Sequence, residues 1–136
     1  MLHIDHASHI GWTLSSGDCR IGRYRGTREA DWLTPVHCAA TLYGETFTRE
    51  HLNHPDHRAV TRIVSARRYA PQSSGPFHAA DGDWILATDG YWTRDISGHE
   101  SDAAPDDDCS ALILMERSLE RRVDSDVENF LDVSAA

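Results

Sequence analysis

Two continuous apolar runs stand out from an otherwise polar chain. Trp84-Ile85-Leu86-Ala87 and Ser110-Ala111-Leu112-Ile113-Leu114-Met115 do not alternate with polar residues. That pattern predicts strands covered on both faces. The first run leads into Thr88-Asp89-Gly90-Tyr91-Trp92. Asp-Gly is a common turn dipeptide, so one reading is a turn between two core segments. The other is a carboxylate fixed at the end of a rigid strand, a good place to hold a metal ion or a catalytic group.

Elsewhere the periodicity is weaker. Ile10, Trp12 and Leu14 alternate with Gly11 and Thr13, which predicts a half-buried strand. Ser15 to Asp18 supplies a turn, and Cys19 to Tyr24 returns as a second strand, giving a hairpin over residues 9–25. Pro35 ends strand pairing after Trp32. Residues 36–54 are less regular. Asn53-His54-Pro55-Asp56 then reads as a helix start, with Val60, Ile63 and Val64 on one face and Arg58, Arg62 and Arg67 on the other. An amphipathic helix over 55–67 is predicted. Residues 71–76 read as a loop, 77–80 as a short strand, and 96–108 as a polar, acidic loop. The charged tail from Glu116 is expected to carry a final helix near 124–133 that includes Val127, Phe130 and Leu131. His3, His6 and His9, with Asp5, have a spacing that could gather imidazoles around a metal. Without a helix cap there, an edge or frayed segment is the simpler expectation. No repeat or linker divides residues 1–136, so a single domain is expected, with a core over about 10–116 and a tail over 117–136. The fold class expected is α+β, built on antiparallel sheet with flanking helices.

Composition narrows the function classes. The 136 residues carry 22 acidic against 13 basic groups, a net charge of −9. That argues against direct nucleic-acid binding and permits basic protein partners, hard cations or mimicry of a polyanion. Cys19, Cys38 and Cys109 form no Cys-x-x-Cys motif, so buried free thiols in a reducing compartment are expected. No signal peptide or run of about 18 apolar residues is present, which points to a cytoplasmic protein without a membrane span.

Both buried strands have aspartates at one end: Asp89 after the first, Asp107 and Asp108 before the second. If the strands are antiparallel neighbours, those ends meet. Converging carboxylates repel unless a cation neutralises them, and oxygen-only ligands favour magnesium or manganese. A solvated acidic loop at 106–108 is the alternative.

The order of motifs resembles the metal-dependent Ser/Thr protein phosphatases of type 2C. Gly17-Asp18-Cys19-Arg20 is similar to that family's Gly-Asp-Ser-Arg hairpin, and Leu33-Thr34-Pro35-Val36-His37-Cys38 to its Leu-Thr-x-Asp-His-Ser segment, with Val36 in place of Asp. The helix expected at 55–67 sits where the family has its Arg-containing helix. Gly82-Asp83-Trp84 through Trp92 resembles the Gly-Asp strand with its Ser-Asp-Gly-Leu-Trp end, and Asp107-Asp108-Cys109-Ser110 the Asp-Asn-x-Thr motif. The resemblance covers about residues 10–116. It implies metal ligands at Asp89 and Asp107, in a family where two metals activate a bridging water. It implies mostly structural roles for Asp18, Arg20, Thr34 and His37. It also implies a two-sheet sandwich of which this chain corresponds to the C-terminal half. The Arg-x-x-Asn-Glu-Asp-like and Asp-Gly-x-Gly-Gly motifs of the first half are not in the sequence.

Three functions follow as expectations. The first is a pseudophosphatase that has lost catalysis and binds a partner protein. The second is an active Mg- or Mn-dependent phosphoprotein phosphatase completed by another chain. The third is an acidic inhibitor that occludes a nucleic-acid-binding surface. Exposed strand edges and an apolar face predict a homodimer or a complex with another chain.

Overall fold

The computed structural model describes residues 1–5, 7–25, 30–41, 45–67, 71–79, 82–97, 109–115 and 120–125. They form two antiparallel sheets and two short helices, an architecture dominated by strand. One sheet has three strands: β1 (Leu2–Asp5), β2 (Ile10–Ser15) and β5 (Gln72–His78), in the order β1-β2-β5. The other has five: β3 (Arg20–Tyr24), β4 (Ala30–Trp32), β6 (Trp84–Ala87), β7 (Ser110–Met115) and β8 (Glu120–Ser125), ordered β4-β3-β6-β7-β8. The helices are α1 (Arg49–Leu52) and α2 (Asp89–Ser97).

The two apolar runs form the centre of the larger sheet. β6 and β7 are antiparallel neighbours, with Ile85 opposite Ile113 and Ala87 opposite Ala111. Because alternate residues face opposite sides, these four share one face. There they pack with Val36, Phe47, Tyr91 and Trp92 in the hydrophobic core. The opposite face, carrying Trp84 and Leu86, meets the smaller sheet. Phe77 of β5 contacts the Trp84 ring at 5.0 Å. Between the sheets a cleft of about 290 Å³ is lined by Leu14, Ile21, Leu86, Leu112 and Val123, among others.

Several local expectations are overturned. Residues 9–25 are not a hairpin: β2 pairs with β1 and β5, whereas β3 pairs with β4 and β6. The chain changes sheets at Gly17, whose φ of 87° favours glycine. The alternation in β2 is inverted as well. Gly11, Thr13 and Ser15 are buried while Trp12 is 44% exposed. The Phe77 ring explains this. A Cβ on Gly11 would lie 2.5 Å from that ring, so only glycine lets Phe77 cross β2 to reach Trp84.

The helix over 55–67 does not form. A single turn of helix, α1, lies further upstream, and residues 53–58 are turns. From Ala59 onward the backbone pairs with residues 37–39, of which His37 and Cys38 are buried. Ala39 N–H donates to the Ala59 carbonyl and Thr61 N–H to the His37 carbonyl, both at 2.8 Å, with Val60 bridged to Cys38. The β-branched Val60, Thr61, Ile63 and Val64 offer little resistance to extension.

The predicted loop at 71–76 is most of strand β5. Pro76 is tolerated because β5 is an edge strand and the register breaks between Gly11 and Thr13, leaving residues 75–76 opposite Trp12 in a bulge. Asp89-Gly90 is not a turn between core segments but the first turn of α2. The helix expected near 124–133 does not begin at Asp124. Asp124 and Ser125 belong to β8, opposite Ala111 and Ser110. The acidic loop lies outside the described residues from 98 onward, as does the tail beyond 125.

Candidate functional site

The end of β6 and the start of β7 are locked together. Thr88 N–H donates to the Ser110 carbonyl at 2.9 Å, and Ser110 N–H donates to Thr88 Oγ1 at 3.0 Å. Thr88 also begins α2, its carbonyl accepting the N–H groups of Tyr91 and Trp92 at 3.1 and 3.2 Å. Asp89 is therefore held at the meeting point of β6, β7 and α2. Its position in the first helical turn favours a negative charge, because the unpaired N–H groups of a helix start carry positive potential. The predicted convergence of the two strand ends is present up to Cys109. Asp107 and Asp108 lie outside the described residues.

The turn between β2 and β3 approaches the same end. Trp92 Nε1–H donates to the Asp18 carbonyl at 2.8 Å. His37 captures the preceding carbonyl, Gly17, through both its backbone N–H and its Nδ1, each at 3.1 Å, and its Nε2 faces the Gln72 amide at 3.0 Å. Thr34 Oγ1 accepts the Ile21 N–H at 2.8 Å, and its carbonyl accepts from Arg20 Nε at 3.3 Å. The side chains of Arg20, Thr34 and His37 thus bond backbone groups, and Asp18 takes part through its carbonyl.

Arg20 is buried with its guanidinium 4.9 Å from the Trp32 ring centre and 5.2 Å from that of Trp92. Aromatic faces attract the cation. Burial alone lowers its pKa to about 10, so it stays charged at neutral pH.

Cys19 lies between carboxylates. Partial burial, and then the charges of Asp18 and Asp89, push its pKa up. The thiolate is disfavoured, which makes Cys19 a poor nucleophile. It is nonetheless exposed, whereas Cys38 and Cys109 are buried. A disulfide-exchange reagent is expected to titrate one thiol in the native chain. Asp89→Asn removes one of the charges that raise this pKa, so the pH at which labelling accelerates should move down in that variant. An unchanged profile would show that Asp89 does not act on Cys19.

Among the described residues no three His, Cys, Asp or Glu side chains converge to hold a metal ion. Asp107, the other expected ligand, lies outside the described residues, so Asp89 is the one expected carboxylate whose position is described. That carboxylate does not make a two-metal centre by itself. His3 sits on edge strand β1 with its ring 5.4 Å from Trp12, and His9 stacks on His78 at 6.4 Å. His6 lies outside the described residues.

Thr88 and Trp92 were not singled out from the sequence as residues that build this end. Thr88 followed by Asp89 carries the signal of a helix cap with an acidic first turn. Nothing local marks Trp92 as the donor to Asp18, since that contact spans 74 positions.

No family model matches this chain, and the searches of curated proteins and of solved structures returned no match. No helix among the described residues is long and apolar enough to cross a membrane.

Proposed function

We propose that this chain is a type 2C phosphatase-like domain that has lost two-metal catalysis and works by binding a partner protein. One contrast carries the reading. Asp89 is rigidly held, with β3, β6 and β7 adjacent and Thr88 clipped to Ser110, which supports the reading. The Asp-Gly-x-Gly-Gly motif that would supply the bridging carboxylate is missing from the sequence. A centre that activates water between two cations needs a ligand shared by both and enough donors to hold the pair in place, and among the described residues no three His, Cys, Asp or Glu side chains converge around Asp89. Val36, which stands where the resembling segment has Asp, is buried in the core, so that position serves packing here.

The test is hydrolysis of a phosphoserine peptide in manganese. The expected result is no turnover above the metal-only background. Turnover that disappears in Asp89→Asn would instead support a working phosphatase site.

A further inference from the structure

We propose that residues 58–67 form a docking strip for an acidic peptide of a partner protein that also carries apolar side chains. This rests on the binding-module reading and names the surface and chemistry by which the module acts.

The strip combines exposed apolar side chains with arginines. Five large hydrophobic residues are exposed among those described, and three fall in one five-residue run: Val60 at 37%, Ile63 at 53% and Val64 at 58%. Interleaved with them are Arg58, Arg62 and Arg67, none of which forms an ion pair with a described residue. No acidic residue occurs between Asp56 and Asp81, in a chain whose net charge is −9. Unpaired arginines beside exposed aliphatic groups are an interface composition.

The backbone beneath is already ordered. Ala59 is bonded to Ala39 and Thr61 to the buried His37, and the Arg62 carbonyl passes close to Gly17 of the β2–β3 connection. A partner would therefore meet a preformed surface, which lowers the entropy lost on association.

Charge complementarity selects the partner. The sequence contains no lysine, and arginine pairs with carboxylates through two parallel hydrogen bonds. Nucleic acid and anionic membrane also attract arginine, but they extend beyond a strip of this size and would meet the acidic remainder of the molecule, which repels them. A short acidic segment with apolar side chains satisfies both halves of the strip and avoids that repulsion.

The experiment is a fluorescence anisotropy titration with a labelled synthetic peptide of alternating acidic residues and leucine, about twelve residues long so that it spans the strip when extended. The comparison probes are the same peptide with Asn and Gln in place of its acids, a single-stranded oligonucleotide, and phosphatidylserine vesicles. The variants are Arg58→Ser/Arg62→Ser/Arg67→Ser and Ile63→Ser/Val64→Ser, each checked for an unchanged thermal midpoint. The acidic peptide should bind and its neutral counterpart should not. The arginine variant should weaken binding about tenfold, as expected from two or three exposed charge pairs. The Ile63/Val64 variant should weaken it severalfold. Absence of acidic-peptide binding, or binding indifferent to both variants, overturns the proposal. So does tighter binding of the oligonucleotide or the vesicles through the same arginines. Manganese-dependent turnover with peptide binding intact would sink the non-catalytic reading and leave the strip standing. Loss of peptide binding with no turnover would do the reverse.

Discussion

Trp92→Ala is expected to lower stability by about 3–5 kcal/mol, the usual cost of truncating a large buried aromatic. Trp92 is 1% exposed and joins four parts of the molecule. It anchors α2 in the core, meets Phe47 edge-on at 5.0 Å, lies against the Arg20 guanidinium, and donates its indole N–H to the Asp18 carbonyl. Alanine would leave a cavity, an unanswered Asp18 carbonyl and a buried cation that keeps Trp32 and the Thr34 carbonyl but loses one of its two aromatic faces. Since a domain of this size is stable by about 5–15 kcal/mol in total, the variant should be partly unfolded at 37 °C or close to it. Trp92→Phe keeps most of the volume and loses the hydrogen bond, so it should cost about 1–3 kcal/mol. Urea denaturation followed by far-UV circular dichroism measures both. Equal losses in the two variants would show that cavity formation is minor and that the bond to Asp18 dominates.

The second large effect separates the two faces of β6. Ile85 is fully buried between the sheet and α2, and Ile85→Ala should cost about 2–5 kcal/mol. Leu86 is its neighbour in sequence but points to the other face, where it is half-buried and lines the cleft between the sheets. A cleft wall already lacks packing partners on one side, so Leu86→Ala removes fewer contacts and should cost about 1–2 kcal/mol. The same denaturation experiment gives the difference. A larger loss at Leu86 would place the main core between the two sheets instead of beneath α2.

These two residues also show what was legible in the sequence. The continuous apolar runs at 84–87 and 110–115 were readable as buried strands because a central strand needs apolar residues on both faces. Their antiparallel adjacency was the condition on which the meeting of acidic ends depended, and it is present. The segment 55–67 misled for an identifiable reason. Valine and isoleucine at helical spacing predict a helix only if a surface exists to cover that face. Here the backbone was captured by residues 37–39, and the face stayed exposed. β2 misled in a similar way, because alternation gives two faces without saying which is inward. The Phe77 ring, more than sixty positions away in the chain, decided that the small residues of β2 point in.

The candidate site was legible at Asp89 and not in its surroundings. A carboxylate at a strand end is a local pattern. The Thr88–Ser110 clip, the Trp92 bond to Asp18 and the two carboxylates around Cys19 all join distant segments. Each contact needs the fold before it can be named.

The proposed loss of metal chemistry at Asp89 is tested most directly by titration calorimetry with manganese, on the native chain and on Asp89→Asn. The expected result is no binding that depends on Asp89 up to millimolar metal. Manganese binding that is present in the native chain and absent from Asp89→Asn would contradict it, and would mark Asp89 as a working ligand.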